Sequence, residues 1–259
     1  MKQLFGLVVG LALVTSAQAA LRTRTVEYKH GDTVLKGYLT YDAAVKGKRP
    51  GVLVAHEWWG LNDYTKRRAD MLAQLGYVAF AVDMYGDGFN TTSPEEAGKH
   101  ASECRTNRPF GRERITAGLD VLRNHEVCDS RRIAAIGYCF GGTCVLELAR
   151  SGADIAGVVS FHGSLNTPNP ADAKNIKCKV LVCHGANDGF ESPEEIAAFQ
   201  KEMRDANVDW QMNVYGGAVH SFTNPDSDKF GIPGVGYNEH ADKRSWDAMK
   251  TFFGELFRI

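Results

Sequence analysis

Apolar positions along the chain fall into two kinds of run. The first kind is short and almost continuously apolar: Gly51-Val52-Leu53-Val54-Ala55, then residues 77–82, 132–136, 155–161, 179–184 and 210–215. Runs of this length, rich in Val and Ile, predict strands buried on both faces, as the strands of parallel sheets are. The second kind recurs at helical spacing. Ala69, Leu72, Ala73 and Leu75 form one stripe, on a helix that Asn62 or Asp63 can cap and Gly76 stops. Ser93-Pro94-Glu95-Glu96 opens another helix with a capping-box pattern. Further helices are predicted over about 111–125, 143–150, 193–206 behind Ser192, and about 238–257. Ahead of all these, residues 23–30 and 34–41 are β-branched and aromatic and flank His30-Gly31-Asp32-Thr33, which predicts an antiparallel hairpin. Strands alternating with helices place the chain in the α/β class, with a mainly parallel sheet, an antiparallel N-terminal edge and helices on both faces. No internal repeat or linker interrupts it.

The N-terminus departs from this pattern. Lys2 is followed by an apolar run over 4–14 and by Ala17-Gln18-Ala19, the order of a secretory signal peptide and too short for a comfortable membrane span. The expectation is a signal at 1–19, cleavage after Ala19, export to a bacterial periplasm and one domain over 20–259. With 259 residues, 44% hydrophobic and a net charge of −1, the chain can bury one large core and has no bias toward nucleic acid or anionic membrane. Six cysteines lie beyond the signal: Cys104, Cys128, Cys139, Cys144, Cys178 and Cys183. None forms Cys-x-x-Cys, so neither a zinc ribbon nor a thioredoxin-type site is suggested. Their pairing is not readable from spacing, although Cys178 and Cys183 flank one strand and stand too far apart along it to bridge each other.

Candidate chemistry lies where strands end, because ligands of open α/β sheets bind beyond the carboxyl ends of the strands. Gly137-Tyr138-Cys139-Phe140-Gly141-Gly142 joins a strand to a helix and fits the nucleophile elbow Gly-x-Nuc-x-Gly, with Cys139 in the nucleophile slot and the N–H of Phe140 placed to face an oxyanion. Asp188 follows the strand at 179–184, and His220 follows the last strand. A thiol needs a base to become a thiolate, and the base needs a carboxylate to fix its tautomer. Cys139, Asp188 and His220 supply one of each, in the chain order of the α/β-hydrolase triad. His56, His162 and His184 also follow strands, but no spaced motif such as His-Glu-x-x-His supports a metal centre.

Taken together, Gly51 to Glu57, Gly137 to Gly142, Asp188, His220-Ser221-Phe222-Thr223-Asn224-Pro225 and the Trp246-containing last helix resemble the dienelactone hydrolase family of the α/β-hydrolase superfamily. The resemblance implies Cys139 as nucleophile, His220 as base, Asp188 as orienter, and the N–H groups of Phe140 and Trp58 as oxyanion hole. It also implies that Glu57 contacts the nucleophile region and helps control its protonation; a carboxylate there disfavours the thiolate but can accept its proton. No cofactor is implied. The family holds a substrate carboxylate with two arginines, whose positions here are occupied by Asp87 and Asn224, neither able to act as a guanidinium fork. Neutral carboxylic esters or lactones are therefore the expected substrates, unless Arg105 or Arg108 takes over that role. Trp58, Trp59, Tyr85, Phe89, Phe140 and Phe222 are the aromatic residues expected around the pocket. The pattern also resembles dienelactone-hydrolase-like proteins with promiscuous phosphotriesterase activity, which keeps a neutral phosphotriester as an alternative. A non-catalytic binding relative is the third reading.

Overall fold

The computed structural model describes residues 20–257. The expected signal segment, 1–19, lies outside the described residues. Eight strands form one sheet in the order β1-β2-β4-β3-β5-β6-β7-β8. β1 (Leu21–His30) and β2 (Thr33–Asp42) make the expected hairpin, and β2 also runs antiparallel to β4 (Val78–Ala81). From β4 through β3 (Arg49–Ala55), β5 (Cys128–Tyr138), β6 (Gly157–Phe161), β7 (Lys179–Gly185) and β8 (Trp210–Tyr215) every pairing is parallel. Every residue of β3, β4 and β6 is buried, which is why these strands read as unbroken apolar runs.

Because successive side chains of a strand point to opposite faces, the same strands feed two cores. Leu53 and Ala55 of β3 and Ile133 and Ala135 of β5 face one of them. That core is closed by α2 (Pro94–Thr106), α3 (Arg108–Arg123), α4 (Phe140–Arg150) and α5 (Pro193–Asp205) through Ala101, Leu119, Val145 and Phe199. Val52, Val54, Ala134 and Ile136 face the other, closed by α1 (Asp63–Gln74) and α6 (Glu239–Phe257) through Leu72, Met249 and Phe253. Each such large apolar side chain contributes roughly 1.5–3 kcal/mol by leaving water.

The helix starts show which local signals govern. Asn62, not Asp63, caps α1, its side chain accepting from the N–H of Thr65. Ser93 caps α2, but the reciprocal half of the expected capping box is rerouted. The Glu96 carboxylate accepts from the Thr91 hydroxyl at 2.5 Å, and Thr91 Oγ1 accepts the Ser93 N–H at 3.0 Å. α5 has the complete box between Ser192 and Glu195. α3 begins at Arg108, three residues before the expected start, because Asn107 caps it and Pro109 suits its first turn. α4 begins at Phe140, directly after Cys139, so the glycines at 141 and 142 lie inside the helix and not in a turn ahead of it.

Candidate active site

The turn from β5 into α4 lifts Cys139 above the sheet at φ 52° and ψ −118°. Its glycines are sterically required. A Cβ at Gly137 would stand 2.0 Å from the Gly141 carbonyl oxygen, and one at Gly141 would stand 2.2 Å from that of Ala55. The unusual backbone is held from both sides: the Cys139 N–H donates to Phe161 O at 3.0 Å and to His162 Nδ1 at 3.1 Å, while its carbonyl accepts from Gly142 at 2.9 Å.

His220 stands between sulfur and carboxylate. Its Nε2 lies 3.1 Å from Cys139 Sγ and its Nδ1 2.9 Å from Asp188 Oδ2. The Asp188 side chain is fully buried, and its other oxygen accepts the Phe190 N–H at 3.0 Å. The three residues expected to converge from separate strand ends are thus in hydrogen-bond contact. Burial alone would disfavour a charged His220 ring, but the Cys139 sulfur and the bond to Asp188 outweigh it and raise its pKa well above the ordinary value. The loop carrying His220 is tied down by the His220 N–H to Gly234 O and the Gly236 N–H to His220 O, each at 3.1 Å.

Glu57 follows β3 and lines the same cavity as Cys139. Among the described hydrogen bonds, however, its carboxylate is bonded not to the thiol but to the Ser221 hydroxyl and to Asn224 Nδ2, the latter at 2.7 Å. No ion pair involves it among the described residues, and burial, only partly offset by these two donors, raises its pKa. Trp58 and Phe140 both line the cavity, and neither N–H donates to a protein acceptor among the described hydrogen bonds.

The cavity measures about 460 Å³. Trp58, Trp59, Phe140, Phe230, Ile232 and Val235 give it apolar surface; Arg105, Arg108, Asn166 and Glu191 line its polar part. Asp87 is elsewhere, exposed and paired with Lys36 at 2.5 Å, and Asn224 is buried against Glu57. The two substitutions therefore do not leave the cavity without cations, since Arg105 and Arg108 are there.

Three expected pocket aromatics are corrected. Tyr85 lies behind the wall, donating to Trp58 O at 2.9 Å with its ring against His56 and Phe140. Phe89 stacks on His100 at 4.0 Å, and Phe222 is fully buried with its edge toward His162. In their stead the lining takes Phe190, two residues past Asp188, whose ring centroid is 4.9 Å from that of His220. It also takes Phe230, Ile232 and Val235 from the segment between β8 and α6. The glycines at 231 and 234, both at positive φ and set among aliphatic residues, were the available signal for that fold-over.

Two of the histidines weighed as metal ligands are engaged internally. His56 Nδ1 donates to Glu57 O at 2.5 Å and its Nε2 accepts the Met84 N–H at 3.2 Å; His162 has both nitrogens bonded. Among the described residues no cluster of three or more His, Cys, Asp or Glu could hold a metal ion. All six cysteines are free thiols. Burial pushes Cys104 and Cys128 up to about 11, Cys178 and Cys183 up to about 12, and Cys144 well above the ordinary thiol value, which leaves these five protonated at neutral pH. Cys139 alone is half-buried, at the cavity floor.

Comparison with known proteins gives a consistent result. A family model described as the dienelactone hydrolase family matches residues 35–257. "Protein usf" of Aquifex pyrophilus is 30% identical over 89% of this chain and 97% of its own length. A putative carboxymethylenebutenolidase of Aquifex aeolicus is 28% identical over 88% of this chain and 96% of its own. The crystal structure of a dienelactone hydrolase-like promiscuous phosphotriesterase from metagenomic libraries superposes with a TM-score of 0.89 at 42% identity, covering 92% of this chain and 99% of that one.

Proposed function

The chain belongs to the dienelactone hydrolase family, and on that premise we propose that it hydrolyses carboxylic esters or lactones through a thioester on Cys139. The reading rests on one observation, the unbroken contact from Cys139 Sγ through the His220 ring to the buried Asp188. In the first half-reaction His220 Nε2 takes the thiol proton and the sulfur attacks the acyl carbon. The oxyanion that forms is received by the N–H groups of Phe140 and Trp58, which donate to no protein acceptor among the described hydrogen bonds. As the tetrahedral species collapses, the C–O bond to the leaving group breaks and His220 returns its proton to that oxygen. In the second half, His220 takes a proton from water, the hydroxide attacks the thioester, and the thiolate leaves and is reprotonated. Asp188 holds Nδ1–H in place throughout and stabilises the imidazolium. Glu57, whose pKa burial raises and whose carboxylate Ser221 and Asn224 hold at the cavity wall, is the group this reading assigns to helping control the protonation of the thiol.

Neutral substrates are the first choice, because Asp87, paired with Lys36, and Asn224, bonded to Glu57, put no guanidinium where the resemblance places the carboxylate-binding arginines, although Arg105 and Arg108 line the cavity. Neutral aryl esters are expected to turn over at least as well as carboxylate-bearing analogues. A clear preference for the anionic ester, lost in Arg105→Met or Arg108→Met, would transfer substrate recognition to those arginines.

A second reading, favoured by the 42% identity to a described phosphotriesterase, changes only the electrophile, to a neutral phosphotriester. Mass spectrometry after an aryl acetate or an aryl dialkyl phosphate separates the two by an acyl or a phosphoryl adduct on Cys139. Cys139→Ala is expected to abolish turnover and Cys139→Ser to retain little of it. Full activity in Cys139→Ala removes both readings, and a protein without turnover or fast alkylation by iodoacetamide would be a binding relative. Export to the periplasm is proposed on the pattern of residues 1–19; a secreted chain whose intact mass begins at Ala20 is the expected result.

A further inference from the structure

Five non-glycine residues among those described have φ in the left-handed region, and three of them meet at this site: Cys139 at 52°, His162 at 40° and Ser221 at 60°. Such conformations persist only where their surroundings over-determine them. His162, at the end of β6, links all three segments. Its Nδ1 faces the Cys139 backbone N–H at 3.1 Å, and its Nε2 faces Thr223 Oγ1 at 2.7 Å. A backbone N–H can only donate, so Nδ1 carries no proton and Nε2–H donates to Thr223. The ring is thereby fixed as neutral and in one tautomer.

Thr223 is itself braced. Its Oγ1 lies 2.6 Å from Tyr64 OH, which also accepts from Arg68 Nε at 3.3 Å. Arg68 Nη2 donates to the Thr223 carbonyl at 2.6 Å and pairs with Asp242 on α6. His162, Thr223, Tyr64 and Arg68 are all buried. A fully satisfied buried network of this kind rigidifies what it connects. Here it connects the nucleophile's own backbone to the loop that carries the base, since Thr223 is three residues past His220.

We propose that His162, oriented by Thr223, is a positioning residue that holds the nucleophile turn and the base loop in register, so that the sulfur–imidazole contact exists before substrate arrives. The proposal deepens the thioester reading above and rests on it. His162 does not line the cavity and plays no part in proton transfer. A protonated ring would fail in this role twice. Its Nδ1–H would meet the Cys139 N–H, and its charge would oppose an imidazolium on His220, whose ring centroid is 5.4 Å away. The groups facing it are Tyr138 from β5, His184 from β7, His220, Phe222 and Thr223 from the base loop, and Arg68 from α1. Burial, with the positive charges of His220 and Arg68, keeps it neutral.

The test compares Thr223→Val, which removes the hydroxyl at nearly constant volume, with Thr223→Ser, which keeps it. Two quantities are read: kcat and KM on an aryl ester, and the pH profile of iodoacetamide alkylation of Cys139 in the absence of substrate. Thr223→Val should lower kcat by on the order of tenfold to a hundredfold with little change in KM, as misplacement of reacting groups by a fraction of an ångström does. It should also displace the alkylation profile, and Thr223→Ser should restore both. His162→Gln should share the defect of Thr223→Val. If His162→Gln does not fold, as circular dichroism would show, the two threonine variants carry the test by themselves. The proposal is overturned if Thr223→Val keeps the parent kcat and alkylation profile, or if Thr223→Ser loses as much as Thr223→Val. The alkylation profile needs no turnover, so it distinguishes failure of this proposal from failure of the thioester reading, which Cys139→Ala decides.

Discussion

Cys139 can sit at positive φ only because its neighbours carry no side chain where the chain doubles back. Gly141→Ala would drive a methyl to 2.2 Å from a backbone carbonyl of β3, which cannot move aside as a side chain would. We expect it to cost at least about 1–3 kcal/mol in urea unfolding and to lower activity, since over-packing of this kind is relieved only by backbone shifts. At Asp188 the expectation is different. Asp188→Asn preserves shape but cannot accept Nδ1–H and stabilise its charge equally well, so kcat should fall by on the order of 10²–10⁴ with KM nearly unchanged. A stability loss without a kcat effect would contradict the orienting role. The convergence of Cys139, Asp188 and His220, and the turn that carries Cys139, were legible in the sequence because each residue stands in the loop that follows a predicted strand. Tyr85, Phe89 and Phe222 were misplaced for the complementary reason: whether a loop aromatic points into a cavity or into the core depends on the path of the loop, which no periodicity encodes.

Helix α4, which starts directly after Cys139, is anchored at its far end by Arg150, a fully buried side chain. Its Nε and Nη2 each donate to Glu202 of α5 at 2.8 Å, its Nη1 to Glu147 at 3.0 Å, and its Nη2 to Leu165 O at 2.9 Å. Arg112 of α3 closes the network, pairing with Glu147 and Asp172 at 2.7 Å each. Arg150→Ala would leave the Glu202 carboxylate buried without its cation and Glu147 with Arg112 alone, and is expected to destabilise the fold by about 3–5 kcal/mol, read from the urea midpoint. An effect below about 1 kcal/mol would show that water reaches these carboxylates. The sequence did not reveal this network, because Arg150 reads there as an ordinary cation in the last turn of a helix. The strand runs, the hairpin and most helices were legible. The starts of α3 and α4 were not, since Asn107 reads as loop and paired glycines read as a turn until packing against β3 and β6 is known.

Across the whole molecule, the buried histidines set the acid side of stability. Burial lowers the pKa of His56, His162 and His184 below the unfolded value of about 6.5. Below that pH the unfolded chain binds protons that the folded chain refuses, so stability present at neutral pH is lost as pH falls, by up to about 1.4 kcal/mol per pH unit for each group. Glu57, Glu191 and Asp242 act oppositely. Their raised pKa values mean that the folded state takes up protons first, which adds stability as pH falls toward the unfolded carboxyl range. His184, whose buried Nδ1 has no hydrogen-bond partner among the described residues, allows the histidine contribution to be isolated. His184→Gln should flatten the slope of unfolding free energy against pH just below 6.5 by up to one proton, and an unchanged slope would mean that this ring charges freely in the native state. The clustering of left-handed residues at Cys139, His162 and Ser221 bears on a different property, the order in which the molecule comes apart. These residues belong to three segments brought together only when β5, β6 and the base loop are all docked, and each tends to relax once a neighbour loosens. Mild denaturant should therefore silence the enzyme before its secondary structure melts, and on renaturation turnover should be the last signal to return.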